Sequence, residues 1–122
     1  MTRILVVDDD PALSELLEAL LTAAGYAVVL AADGRSGLDA MLAGPAPQAV
    51  ILDLNLPRLD GFEVLEAMRE HGVAVPVLVL TARYSQDDAD RVLALGAADF
   101  LAKPFSNMAL LARVGALLRR LP

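Results

Sequence analysis

The chain has 122 residues, enough for a single domain that builds its core without disulfide or metal staples. Hydrophobic residues make up 57% and aromatic ones 4%, so the core has to come mainly from Leu, Val and Ala; cysteine is absent, which excludes a disulfide framework and any thiolate metal site. A formal net charge of -6 argues against direct contact with nucleic acid, which needs a basic face, and no stretch approaches the length of a membrane span, so a soluble, cytoplasmic protein is expected.

The first apolar run, Ile4 to Val7, is too short for a secretory signal and ends in three consecutive carboxylates, Asp8, Asp9 and Asp10. Adjacent like charges at the rim of a core repel and lose hydration, so something must offset them: a metal ion, a basic partner, a helix N-terminus or open water. Asp10 precedes Pro11, a residue favoured at the first helical position, and is assigned to cap the next helix rather than to ligate. Leu13, Leu16, Leu17, Leu20 and Leu21 then form the stripe of an amphipathic helix that Gly25 terminates.

A second apolar run spans Ala27 to Ala31, and a second helix is expected around Gly37 to Ala43, with a glycine inside it. The third run, Ala49 to Leu52, leads into Asp53. Phe62, Leu65 and Met68 mark the third helix, stopped by Gly72; His71 falls in its last turn, where a cation favours the helix dipole, and this is preferred to a ligand role. Val75 to Leu80 forms the fourth run and leads into Thr81. Val92 and Leu95 lie on a short helix closed by Gly96. The fifth run, Phe100 to Ala102, ends at Lys103, the sole lysine among ten basic residues. Leu110, Leu111, Val114, Leu117, Leu118 and Leu121 mark the last helix.

The runs are apolar throughout rather than alternating, as strands buried on both faces are. Alternation with helices makes this an α/β chain: a single-domain, doubly wound, five-stranded parallel sheet with helices on both faces. Right-handed crossovers bring every strand's C-terminal end to one edge, where such sheets bind ligands. Asp8, Asp9, Asp53, Thr81 and Lys103 all follow strands and so converge there. Their chemistry is complementary: carboxylates suit a hard cation such as Mg2+, with a compact ammonium and a hydroxyl beside them. Any one of these residues alone reads as a turn or loop residue; their joint placement does not.

The segments ILVVDDD, LDLNLPRLDG, VLTA and AKPF, in this order and spacing, resemble those of response-regulator receiver domains of bacterial two-component signalling. The resemblance covers essentially residues 1–122 and implies the flavodoxin-like strand order 2-1-3-4-5. It also implies that Asp53 accepts a phosphoryl group from a sensor histidine kinase. Asp9 and Asp53 would ligate Mg2+ directly, the Asn55 backbone carbonyl would be a third ligand, and Asp8 would act through water. Thr81 and Lys103 would contact the phosphoryl oxygens. Phe100 matches the aromatic switch position, where many relatives carry Tyr, and would turn inward as Thr81 moves toward an acyl phosphate. A cis bond at Lys103-Pro104 is implied as well. The domain would promote only its own phosphorylation and dephosphorylation.

The last helix resembles that of regulators carrying a winged-helix DNA-binding domain, which implies transcription as the output and a homodimer on phosphorylation. In those relatives charge pairs join the protomers. Asp99 and Arg113 match one such pair, whereas Ala109 replaces the usual Glu of another. Three alternatives stand beside this reading. One is a stand-alone receiver that signals by protein binding, with or without phosphorylation. The second is a phosphohydrolase of the haloacid-dehalogenase type, for which Asp8 and Asp10 would be the DxD pair, although no acidic residue follows Lys103. The third is a flavin-binding protein, disfavoured because three acids would repel its phosphate.

Overall fold

A computed structural model describes residues 1–82 and 85–119. Its strands are β1 (Arg3–Val7), β2 (Ala27–Ala31), β3 (Ala49–Leu52), β4 (Val77–Thr81) and β5 (Asp99–Ala102), alternating with α1 (Pro11–Ala23), α2 (Gly34–Leu42), α3 (Gly61–Glu70), α4 (Gln86–Ala94) and α5 (Asn107–Arg119). The strands form one parallel sheet in the order β2-β1-β3-β4-β5. The expected architecture and strand order therefore hold. Leu121 lies outside the described residues.

Alternate residues of the central strands face opposite cores, which is why their sequences are apolar throughout. On one side Leu5, Val7, Val50, Leu52, Val77 and Val79 pack against Leu38 of α2, Phe62 and Leu65 of α3 and Val92 of α4. On the other, Ile4, Val6, Ile51, Leu78 and Leu80 pack against Leu17 and Leu21 of α1 and Leu110 and Val114 of α5. Each such side chain contributes about 1.5–3 kcal/mol through burial.

Helix ends follow their local chemistry. The Asp10 carboxylate accepts N–H bonds from Ala12 (3.0 Å) and Leu13 (3.4 Å), so the predicted cap on α1 is present. Asp60 caps α3 by accepting from Glu63 N–H at 2.9 Å, while the Glu63 side chain accepts from Asp60 N–H at 3.1 Å. Gly25, Gly72 and Gly96 take positive φ just past α1, α3 and α4. His71 is the C-cap of α3 and is exposed.

Several boundaries and burials differ from expectation, beginning with β1, which starts at Arg3 rather than Ile4. β4 begins at Val77 rather than Val75, because Pro76 lacks the N–H a ladder needs; its carbonyl instead accepts from Val50 at 3.0 Å. Asp99 joins β5 ahead of Phe100. The second helix starts at Gly34 rather than Gly37, and Gly37 is tolerated inside it because a Cβ there would lie 2.8 Å from the Val7 methyls. On α1, Leu16 is 47% exposed while Ser14 is buried, its hydroxyl donating to the Asp8 carbonyl at 3.4 Å.

Candidate functional site

The sheet register assembles the site. Val7 pairs with Leu52, so the residues that follow them, Asp8 and Asp53, emerge side by side, and Asp53 N–H donates to the Val7 carbonyl at 3.0 Å. Thr81 pairs with Ala102, and Lys103 N–H donates to the Thr81 carbonyl at 2.9 Å. Strands β1, β3, β4 and β5 thus deliver two carboxylates, a hydroxyl and an ammonium to one sheet edge.

The ammonium is committed to the acids. Lys103 Nζ lies 3.0 Å from Asp8 Oδ2 and 3.5 Å from Asp53 Oδ2. The other oxygen of Asp53 accepts from Leu54 N–H at 2.7 Å and Asn55 N–H at 3.4 Å. Asp8 is 4% exposed, and its Oδ1 accepts from Asp10 N–H at 2.9 Å. Desolvation by burial raises its pKa above the ordinary carboxylate value, and nearby Asp53 adds to the rise; the Asp10 N–H and the Lys103 ammonium offset part of it. One cation therefore does not balance the acids gathered here.

Oxygens of Asp8, Asp9 and Asp53 lie within 4.8 Å of one another, an arrangement that could hold a metal ion. Hard oxygen donors, an exposed Asp9 and a desolvated excess of negative charge fit a divalent cation such as Mg2+. Asp10 stands apart from that group because its carboxylate serves the α1 cap. The same fact weakens the DxD reading, whose second carboxylate would be occupied.

Thr81 is fully buried at the end of β4. Phe100 is half-buried, pairs with Val79 in the ladder and packs against the core under α2, α3 and α4. The Lys103-Pro104 bond is cis, as the resemblance implies. Asp99 and Arg113 meet within the chain, Arg113 Nη1 donating to Asp99 Oδ1 at 2.8 Å.

Sequence reasoning missed the supports of the loop from Asp53 to Asp60. Arg58 has φ 71, and Leu59 N–H donates to the Pro57 carbonyl at 2.8 Å, which makes a γ-turn centred on Arg58. Such a conformation costs a non-glycine residue about 1–3 kcal/mol. At the loop's end, Gly61 N–H donates to the Leu54 carbonyl at 3.0 Å, and a Cβ on Gly61 would lie 2.5 Å from the Asp53 carbonyl oxygen. Asp-Gly pairs at 33–34 and 60–61, each opening a helix, were the available signal.

Comparison with known proteins gives one answer. The profile of the response regulator receiver domain family matches residues 4–115. Response regulator MprA of Mycolicibacterium vanbaalenii is 52% identical over 118 residues, which cover 97% of this chain and 51% of that protein. MprA of Mycobacterium avium matches equally well. The chain thus spans about half the length of the curated relatives it matches. Among solved structures, the Francisella response regulator 1452 receiver domain superposes with a TM-score of 0.93 at 29% identity, covering 100% of both chains. Vibrio cholerae chemotaxis protein CheY4 gives 0.89 at 33% identity, covering 97% of this chain and 99% of the other.

Proposed function

Because the chain belongs to the response regulator receiver domains, we propose that it accepts a phosphoryl group on Asp53 from the phosphohistidine of a sensor histidine kinase and signals through Thr81 and Phe100. The observation that carries this reading is the position of Asp53. One of its oxygens is held by the Leu54 and Asn55 N–H groups, and the other faces Lys103 Nζ at 3.5 Å. The held carboxylate is an oriented nucleophile, and the facing oxygen attacks phosphorus as the P–N bond to imidazole breaks, leaving an acyl phosphate.

Phosphoryl transfer depends on alignment and on charge stabilisation at the equatorial oxygens, and less on proton transfer. Lys103 and Thr81 supply a positive charge and a hydroxyl donor to those oxygens. Asp9, Asp53, the Asn55 carbonyl and, through water, Asp8 are the groups that would hold Mg2+, which when bound neutralises charge on the transferring group. Acyl phosphate on Asp53 then draws Thr81 toward it, and Phe100 moves into the space vacated. Lacking a hydroxyl, Phe100 signals by its packing alone.

In this reading residues 1–122 act as one receiver, cytoplasmic like the kinase domain that feeds it, without direct contact to nucleic acid. No described helix is long and apolar enough to cross a membrane. The output is transcription, supported by the resemblance of α5 to that of winged-helix regulators, with modest phosphorylation-dependent homodimerisation. The test is treatment with a small phosphodonor and Mg2+, read by intact mass and hydroxylamine sensitivity. One phosphoryl group is expected on wild type and none on Asp53→Asn. Equal labelling of both proteins would refute the assignment, and labelling at Asp8 would favour the phosphohydrolase alternative.

A further inference from the structure

The loop from Asp53 to Asp60 carries both the proposed phosphoacceptor and the proposed Asn55 ligand, yet its middle contains an L-residue, Arg58, at φ 71. A conformation of that kind persists only where surrounding structure dictates it. The ends of the loop are tied within its own segment, by the Gly61-Leu54 hydrogen bond and the Asp60-Glu63 capping box. Its middle is met from another element, the N-terminus of α2.

Two contacts make that junction. Gly34, buried at the first position of α2, lies so close to Leu59 that a Cβ would fall 1.6 Å from the Leu59 carbonyl oxygen, 2.6 Å from its carbon and 2.9 Å from Val64 Cγ2. Asp33, the N-cap of α2, divides its carboxylate. Oδ1 accepts from Ser36 N–H at 2.7 Å, and Oδ2 lies 3.6 Å from Arg58 Nη1. The helix cap and the γ-turn therefore share one side chain.

We propose that the N-terminus of α2 is the clamp that holds the phosphoacceptor loop in its working shape, with Gly34 as the main positioning residue and Asp33 as an auxiliary one acting through Arg58. This rests on the reading of Asp53 as phosphoacceptor and extends it to residues that touch neither metal nor phosphoryl group. The ranking of the two contacts follows from their physics. Arg58 is 66% exposed, and an exposed ion pair at this distance contributes little. The approach of Gly34 to a backbone carbonyl leaves no alternative arrangement for a larger residue short of moving the loop.

The test uses Gly34→Ala in the full chain, with two readouts: amide hydrogen exchange of Asn55 and Leu59 without Mg2+, and the Mg2+ concentration that half-saturates the site. Exchange at Leu59 is expected to accelerate while β1 amides stay unchanged. The half-saturating Mg2+ concentration is expected to rise about 10- to 100-fold, as for other groups that orient metal ligands from behind. A folded Gly34→Ala protein matching wild type in both would overturn the proposal.

If Gly34→Ala fails to fold, Asp33→Asn serves instead, because it keeps an acceptor for Ser36 N–H and removes the charge that faces Arg58; Asp39→Asn on the same helix is the charge-matched control. Asp33→Asn should accelerate Leu59 exchange about two- to fivefold, and the control should not. Equal exchange in the two would overturn the proposal. A wild-type protein that neither binds Mg2+ nor becomes phosphorylated would instead refute the Asp53 assignment, and the exchange comparison would still judge the clamp.

Discussion

The Lys103 ammonium lies closer to Asp8, at 3.0 Å, than to Asp53, at 3.5 Å. It thereby spends its charge first on the acid that is less exposed. Replacing it with Met should leave two largely buried carboxylates without their cation, at a cost of about 1.5–3 kcal/mol. Chemical denaturation in chelator should report that loss. Added Mg2+ should raise the melting temperature of Lys103→Met more than that of wild type, and an equal response would show that Lys103 carries little of the charge balance.

Asp8 predicts an unusual pH response. Its pKa in the folded state is raised above the ordinary carboxylate value of 3.8, so between those two values the native state binds more protons than the unfolded one. Stability from this group therefore falls as pH rises through that window. Asp8→Asn should stabilise the protein at neutral pH without Mg2+ and have a much smaller effect below the unfolded pKa. Urea titrations at both pH values check this. Destabilisation by Asp8→Asn at neutral pH would show that the Lys103 pair outweighs desolvation.

Asp9 and Asp10 are neighbours with opposite expected phenotypes. Asp10→Ala removes the cap of α1 and should cost about 1 kcal/mol of stability while leaving Mg2+ binding nearly intact. Asp9→Ala should weaken Mg2+ binding and change stability little. Isothermal titration and thermal melts on both proteins separate the roles, and comparable loss of Mg2+ affinity in the two would overturn the capping assignment.

The Asp99-Arg113 pair is satisfied within one chain at 2.8 Å, and Arg113 Nη1 also reaches the Phe100 carbonyl at 3.4 Å. Any use of these charges between protomers must exchange one pair for another, with about 0–1 kcal/mol at stake. Sedimentation with beryllofluoride and Mg2+ should accordingly show modest tightening of a monomer or weak dimer, reduced by Arg113→Glu. A monomer unchanged at all accessible concentrations would point to a stand-alone receiver.

The positions of Asp8, Asp53, Thr81 and Lys103 were legible because each follows a run of apolar residues, and a parallel sheet must put all such ends on one edge. Asp10 was legible because capping is local. What escaped notice depends on partners distant in the chain. The internal Gly37 of α2 makes sense only against Val7, and on α1 Leu16 of the expected apolar stripe is exposed while Ser14 is buried with its hydroxyl on the Asp8 carbonyl. The γ-turn at Arg58 carries no signature in its own residue type. The intrachain meeting of Asp99 and Arg113 is set by how α5 lies along β5.

The sheet separates two cores, and Phe100 belongs to the one under α2, α3 and α4, whereas its neighbours Leu101 and Phe105 belong to the one under α1 and α5. A fold divided in this way can drift on its two sides at different speeds. Changes at Leu17 and Leu21 on α1 would move the melting point without touching the side chains packed around Phe100, the proposed switch residue, whereas α5 still reaches it through Arg113 and the Phe100 carbonyl. Changes among Phe62, Val79 and Val92 would alter stability together with the surroundings of that proposed switch, which ties the two properties on this side of the sheet.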